Sequence, residues 1–345
     1  MIQNFCTLFN SAYLSRGLVL YESLRKHATG FHLYVFAFDE EVLRYFKEEK
    51  LPQLTVISLS EFEDNELLAV KSKRSATEYC WTCTASTIRY CLDTFQLEVC
   101  TYLDADMCFY ANPQILIQEM GPDAVQITSH RYSAPYDQSA VSGKYCVQFV
   151  TFRNTPAGRK ILESWRNDCL EWCYARVEEG RFGDQKYLDT WGARFGSVNE
   201  LRHLGGGLAP WNLQQYYFEH KNGALLGKEK QTGKEFEVIF FHFHGLKFYS
   251  NNLVSYTDTL YEVSSEVKHL FYKPYVLELL AEGRKVKTKH PNLDPHGAKI
   301  TSSDKPLSFV TLTVRYFFYL IKYGDISGRR ARLFSEHQHL YRINY

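Results

Sequence analysis

The sequence lacks several features that would place it in other classes of protein. None of its apolar runs approaches the roughly 20 uninterrupted residues of a membrane-spanning helix, and its first ten residues lack the charged-then-apolar order of a secretory signal. No Gly-x-Gly-x-x-Gly follows the first predicted strand, which argues against a dinucleotide oxidoreductase. No second acidic cluster offers the extra metal of a two-metal phosphatase or nuclease. We therefore expect a cytoplasmic, globular protein.

Cysteine is present in an odd number and without a disulfide pattern. The nine cysteines lie mostly inside apolar segments, which is typical of reduced, buried thiols. Cys80 and Cys83 have the spacing of redox or zinc sites, but no second pair and no histidines follow in register. We expect structural thiols, with a zinc site as the alternative.

Short apolar runs alternate with segments of helical spacing. The pattern predicts a strand over 4–9, a helix over Leu14–His27 and a strand over 31–38, which together form a βαβ unit and imply a parallel sheet. The alternation continues to a strand at Val99–Leu103. Further helices are predicted over 40–50, 84–95 and 157–174, and further strands over 55–59, 146–152 and 238–243. The expected fold class is α/β.

The C-terminal part differs in composition, and we divide the chain into a domain of residues 1–260 and a helical, basic extension of residues 261–345. Lys, Pro, Gly and Ser predict an exposed connection over 282–306. Residues 307–323 have the apolar and aromatic content of a helix, and arginines follow it up to residue 332. This helix either packs on the first domain or contacts an anionic membrane surface peripherally through residues 307–332.

Two carboxylates, Asp104 and Asp106, come directly after the predicted strand Val99–Leu103. Ligands of open α/β sheets bind at the carboxyl ends of strands. An Asp-x-Asp triplet occurs by chance in many chains, but this one lies inside an apolar segment, where unpaired carboxylates are costly and a bound cation relieves two together. The alternative is a surface turn between two strands.

A second group of polar residues ends the predicted strand over 238–243. His242 and His244 are followed by Gly245 and Lys247. Imidazole binds Mn²⁺ alongside carboxylates, glycine permits close backbone approach, and lysine attracts phosphate. These are the parts of a metal-diphosphate site, whereas a single histidine in an apolar strand is more often a core residue.

These motifs resemble those of the GT-A fold glycosyltransferases, and most closely family 8, over roughly residues 3–250. The resemblance implies a Rossmann-like, mixed and mostly parallel sheet with a C-terminal helical extension. It implies that Asp104, Asp106 and His242 bind Mn²⁺ (or Mg²⁺) and that Lys247, with Gly245, contacts the donor phosphate. This sequence is one residue shorter between the glycine and the lysine, so His244 stays an alternative ligand.

Other matches to the family are single residues. Thr7, Phe9 and Asn10 correspond to its uridine-binding loop, although Leu8 replaces the acidic residue on the base. Arg89 matches an arginine at the donor sugar and diphosphate. Asp184 and Gln185 resemble the pair under the reacting face of the sugar, whereas residues 147–149, Val-Gln-Phe, replace the usual Asn-Ala-Gly. Residues 205–212, which include Trp211, are expected to form a loop near the acceptor, with a core tryptophan as the alternative.

The resemblance implies a function. The chain is expected to transfer a hexose-type sugar, with retention of configuration, from a UDP-sugar to a saccharide or lipid-linked saccharide in polysaccharide or lipopolysaccharide biosynthesis. Nucleic acid is not an expected partner. Membrane-attached relatives imply a peripheral position on the inner face of the cell membrane. The alternative is a non-catalytic protein that binds a sugar nucleotide or a carbohydrate.

Overall fold

A seven-stranded mixed sheet forms the centre of the fold. The computed structural model describes residues 2–250, 252–258, 260–299 and 340–342. The strands of the chain are β1 (Gln3–Phe9), β2 (Phe31–Ala37), β3 (Leu54–Ser58), β4 (Val99–Leu103), β5 (Met107–Phe109), β6 (Val125–Ser129), β7 (Tyr145–Arg153), β8 (Val198–Glu200), β9 (Tyr216–Lys221), β10 (Ala224–Glu229), β11 (Glu235–Glu237), β12 (Phe240–His242), β13 (Lys247–Tyr249), β14 (Leu253–Ser255) and β15 (Leu340–Arg342). The central sheet has the order β3-β2-β1-β4-β7-β6-β8.

Most neighbours in this sheet are parallel. Strand β1 pairs in parallel with β2 and β4, β2 with β3, and β6 with β8, whereas β7 runs antiparallel to both β4 and β6. The predicted α/β class, with a mostly parallel sheet flanked by helices, is confirmed. The opening βαβ unit follows the predicted bounds to within one residue because both of its strands are almost completely buried.

Helices cover both faces of the sheet. They are α1 (Leu14–His27), α2 (Glu40–Glu49), α3 (Leu59–Phe62), α4 (Asn65–Lys71), α5 (Ala76–Thr94), α6 (Gln114–Glu119), α7 (Ser139–Ser142), α8 (Pro156–Glu171), α9 (Trp191–Arg194), α10 (Ser265–Val267) and α11 (Lys273–Lys289). One apolar core packs α5 and α8 against the sheet, and a second packs α1, α2 and α11 against the other face.

Helix α5 begins eight residues before the predicted start at residue 84. Ser75 accepts a hydrogen bond from the backbone of Glu78, and the Glu78 carboxylate accepts one from the backbone of Ser75 at 2.8 Å. This capping box satisfies two backbone donors of the first turn. The extra turns bring the start of α5 over the carboxyl end of the sheet.

The described residues 260–299 pack closely on the rest of the molecule. The predicted exposed connection over 282–306 is wrong in its first part, because α11 continues to Lys289 and buries Val286. His296 is also buried, and its Nδ1 lies 2.9 Å from the Ser15 hydroxyl. Within the described ranges, no helix has the length and apolar character needed to cross a bilayer. The predicted helix over 307–323 and the membrane contact over 307–332 lie outside those ranges.

Candidate active site

Two distant parts of the chain meet at the carboxyl end of β4. Asp104 and Asp106 occupy a tight turn between β4 and β5. Strand β5 pairs antiparallel with β12, so that His242 lies opposite Met107. Nε2 of His242 lies 3.1 Å from Oδ1 of Asp106 and 3.7 Å from Oδ2 of Asp104. The three side chains form a group with the ligand types and spacing of a metal site.

The orientation of the His242 ring is fixed from its other side. Nδ1 of His242 lies 2.7 Å from the side-chain oxygen of Gln148, which can only accept a hydrogen bond. Nδ1 therefore carries a proton, and Nε2 faces the two aspartates. Gln148 belongs to β7, and its backbone oxygen also accepts a hydrogen bond from the Asp104 N–H at 3.2 Å. A single residue thus contacts both halves of the group.

The charges of this group depend on one another. Burial raises the pKa of Asp104 to about 6, against the opposing charge of His242. Desolvation also acts to raise the pKa of Asp106, but the charge and hydrogen bond of His242 lower it to about 2. Desolvation acts to lower the pKa of His242, yet Asp106 and Asp104 raise it well above its usual value. At neutral pH a protonated His242 thus compensates the carboxylates.

The group lies at the floor of a cavity of about 520 Å³. One wall is the end of β1 with the start of α5, and it includes Leu8, Phe9, Asn10, Tyr13, Thr77 and Trp81. The opposite wall is rich in aromatic rings, namely His130, Tyr132, Trp211 and Tyr261. Nucleotide bases and sugar rings both pack against such apolar, aromatic surfaces.

Asp184 and Gln185 line the same cavity. Asp184 is buried, and desolvation raises the pKa of its carboxyl to about 7. The side chain of Gln185 donates a hydrogen bond to the backbone oxygen of Ser142 at 2.8 Å. The turn begins at Gly183, whose φ of +53° and contact with the Trp81 ring leave little room for a side chain.

Four other predicted residues lie outside the cavity lining. Thr7 is buried in β1, directly before Leu8 and Phe9, which line the cavity. Arg89 lies on α5, eight residues after Trp81, which corresponds to roughly 12 Å along a helix that rises about 1.5 Å per residue. Its Nε lies 3.0 Å from a carboxylate oxygen of Glu163. Lys247 forms an ion pair with Asp258. Gly245 has a φ of +80°, and a Cβ added there would lie 3.0 Å from that same aspartate.

His244 contributes to the cavity without joining the metal group. It lines the cavity beside Trp211, with ring centroids 5.5 Å apart. In this structure His242, and not His244, has its imidazole within 4 Å of both aspartates.

Two features of the site carry little sequence signal. Gln148 stands alone among apolar neighbours in β7, where a glutamine has no characteristic spacing. Trp211 was expected in a loop near the acceptor or in the core, and it is both buried and part of the cavity wall. Its indole N–H is buried and has no hydrogen-bond partner among the described residues.

Comparison with known proteins gives distant relatives. No family model matches the sequence. The chain is 28% identical over 287 residues to YfnD of Bacillus subtilis, an uncharacterised protein, covering 80% of this chain and 88% of YfnD. The solved galactosyltransferase LgtC, in complex with donor and acceptor sugar analogues, aligns with 81% of this chain and 96% of its own, at 12% identity and a TM-score of 0.48.

A second solved structure, the glycosyltransferase GlyE of Streptococcus pneumoniae, aligns with 60% of this chain at 15% identity and a TM-score of 0.40. The alignment spans 47% of the GlyE chain, about half its length. Both TM-scores lie below 0.5, so the assignment of a function depends on the geometry of the site.

Proposed function

We propose that this protein is a glycosyltransferase of the GT-A fold that takes a sugar from a nucleotide-sugar donor with the help of a divalent metal ion. The observation that carries the proposal is the group of Asp104, Asp106 and His242 at the floor of the cavity. A nucleoside diphosphate is a leaving group whose charge needs a cation. The three side chains lie where α/β sheets bind their ligands.

The residues present fit such an ion. Two carboxylates and an imidazole are suitable ligands for Mn²⁺ or Mg²⁺, and Gln148 already directs Nε2 of His242 toward the carboxylates. When bound, the ion would neutralise the charge that develops on the departing diphosphate. It would replace the proton that His242 holds between the two aspartates.

The remaining side chains bind and orient the substrates. Asp184 titrates near neutral pH, so its carboxyl can donate or accept a hydrogen bond to a sugar hydroxyl. Gln185 adds an amide beside it. With no strongly basic nucleophile assigned to the chain, we favour attack by the acceptor on the same face that the diphosphate leaves, which retains the anomeric configuration.

The aromatic wall supplies an acceptor subsite. Tyr132, Trp211 and Tyr261 present ring faces and edges that suit the C–H surfaces of a saccharide. On this basis we propose a saccharide or lipid-linked saccharide as the acceptor and a UDP-hexose as the donor. An acceptor bound on this wall would displace water, which would otherwise compete with it for the sugar.

The test is a panel of UDP- and GDP-sugars incubated with Mn²⁺, with release of the nucleoside diphosphate as the measurement. We expect release from at least one donor, stimulated by a saccharide acceptor and abolished in Asp106→Asn. Asp93→Asn, which changes an exposed aspartate, is the matched control and should keep full activity. Tight donor binding without release or transfer would favour the non-catalytic binding protein, and the absence of any metal-dependent binding would refute both.

A further inference from the structure

Arg16 is a buried cation that has no carboxylate partner in the part of the chain that the structure describes. Only 3% of its surface is exposed, and none of the described residues forms an ion pair with it. Its guanidinium donates to the backbone oxygens of Ala12 at 3.3 Å, His296 at 3.1 Å and Leu246 at 2.9 Å. Its Nε has no hydrogen-bond partner within the described part of the chain.

Such an arrangement is unusual because desolvating a charge is costly unless an opposite charge compensates it. The other buried arginine of comparable exposure, Arg166, follows the usual pattern. Its two terminal nitrogens each lie 2.6 Å from a carboxylate, those of Asp64 and Glu66. A guanidinium keeps its charge at neutral pH, so the positive charge of Arg16 is left for something else to balance.

The position of Arg16, close to the cavity, indicates which negative charge it balances. The guanidinium lies 4.4 Å from the centre of the Tyr13 ring, and Tyr13 lines the cavity. Leu246, whose oxygen it binds, belongs to the loop that leaves β12 after His242 and His244.

Once His242 gives up its proton to bind a metal ion, the described lining of the cavity is short of positive side chains. Among the described residues, its lining contains no lysine and no arginine, whereas Asp104, Asp106 and Asp184 all face it. Lys247, the nearest predicted phosphate ligand, is paired with Asp258. A diphosphate needs more positive charge than one divalent ion supplies after two carboxylates have bound that ion.

We propose that Arg16 is a positioning residue that supplies a fixed positive charge behind the subsite for the nucleoside diphosphate, acting through Tyr13 and the loop at Leu246 without touching the donor. This inference rests on the proposed function. Because the interior around Arg16 has a low dielectric, its charge acts over a longer distance than a surface lysine would. Its hydrogen bonds to three carbonyl oxygens hold that charge in place.

A structural role and an electrostatic role make different predictions. If Arg16 only connects α1 to the loop at Leu246, replacing it lowers the binding affinity of every ligand of the cavity to the same extent. If the charge of Arg16 matters, removing that charge weakens the binding of an anionic ligand, but it also removes a repulsion that opposes the binding of a cation. Neutralising Arg16 should then lower the affinity for a nucleoside diphosphate while leaving the affinity for Mn²⁺ alone unchanged or higher.

The experiment is calorimetry on the full chain with two probes, Mn²⁺ alone and UDP at saturating Mn²⁺, with GDP in place of UDP if the wild type prefers it. We expect Arg16→Gln and Arg16→Met to weaken diphosphate binding at least tenfold without weakening Mn²⁺ binding. Arg16→Lys, which keeps the charge but loses the forked geometry, should stay within about threefold of the wild type. Arg166→Gln is the control for the loss of a buried arginine and should not alter the ratio of the two affinities.

Several outcomes would overturn the inference. Equal losses for both probes in all Arg16 variants would assign a purely structural role, as would a lysine variant as weak as the glutamine variant. Unchanged diphosphate binding in Arg16→Gln would remove Arg16 from the site altogether. If neither neutral variant folds, Arg16→Lys is compared with the wild type, and a diphosphate affinity that falls by more than about threefold refutes the role of the charge. A wild type that binds no nucleoside diphosphate with Mn²⁺ would instead refute the proposed function.

Discussion

The side-chain oxygen of Gln148 lies 2.7 Å from Nδ1 of His242, across 94 positions of sequence. This bond fixes which ring nitrogen is available to a metal ion. We expect Gln148→Leu to lower Mn²⁺ affinity by roughly 10- to 100-fold, the usual effect of removing such an outer partner. Gln148→Glu should retain affinity, because a carboxylate accepts the same bond. Calorimetric titration with Mn²⁺ measures both.

The control for this substitution is Gln126→Leu. Gln126 is equally buried, but its amide donates to the backbone oxygen of Leu116 and it does not line the cavity. The control should lose stability without losing Mn²⁺ affinity relative to the wild type. A Gln148→Leu variant with normal Mn²⁺ affinity would contradict the role of the bond.

Metal binding should depend on pH through His242. The pKa of this residue is raised in the metal-free protein, so the ring is protonated at neutral pH and must lose a proton before Nε2 can bind an ion. Mn²⁺ affinity should therefore rise with pH, by about tenfold per unit at the steepest part, with about one proton released. Titrations in buffers of different ionisation enthalpy count that proton.

The same titration ranks the two histidines. His244→Ala should keep the pH dependence, and His242→Ala should lose it together with most of the affinity. The reverse result would make His244 the ligand.

Asp184 should make the stability of the folded chain fall as pH rises, whereas a salt-bridged carboxylate makes it fall as pH drops. Desolvation raises its pKa from 3.8 to about 7, so the folded chain holds a proton that the unfolded chain releases within this window. Stability is therefore lost as pH rises from about 4 to 7. Asp184→Asn should be more stable than the wild type at pH 8, by on the order of 2–4 kcal/mol, and about equal to it at pH 4. Urea unfolding at the two pH values measures the difference, and a difference independent of pH would contradict the burial argument.

We predict that Asp258 competes with the donor for Lys247. The two residues form an ion pair, so the lysine has to leave the aspartate to reach a phosphate. We expect Asp258→Asn to tighten UDP binding at saturating Mn²⁺ by about two- to tenfold and Lys247→Ala to weaken it similarly, with no gain from Asp258→Asn in the Lys247→Ala background. Calorimetry with UDP measures each variant.

Arg89→Ala serves as the comparison for Lys247→Ala. Arg89 pairs with Glu163 on the outer side of α5, away from the cavity, so its loss should leave UDP affinity unchanged. A large effect would show that Arg89 changes partner when the donor binds.

The sequence was sufficient for those parts of the fold that depend on local patterns. The strands β1 and β4 are short apolar runs, and Asp104 and Asp106 follow β4 at the place where a sheet presents its ligands. The hairpin of β9 and β10 was missed although it carries a signal. Asn222 and Gly223 both have positive φ, at 53° and 82°, as an Asn-Gly turn between two strands requires.

Other parts of the site could not be predicted because they depend on pairing between distant segments. A glutamine in an apolar strand and an arginine in an amphipathic helix resemble many residues without a role. Gln148 acquires its partner only when β12 reaches β5, and Arg16 becomes buried only when the segment around His296 packs against α1. The Lys-rich composition of α11 hid its buried face, at Leu279, Leu280 and Val286.

Because β5 pairs with β12, a metal ion bound at the site affects how long the chain stays folded. Any ion held by residues on both sides of this pairing acts as a removable cross-link that closes a long loop, and the two short strands cannot separate while it stays bound. Opening of the loop exposes Phe240 and Phe241, which are otherwise fully buried, to proteases. Resistance to proteolysis therefore becomes a readout of occupancy that needs neither the sugar nor the acceptor to be known.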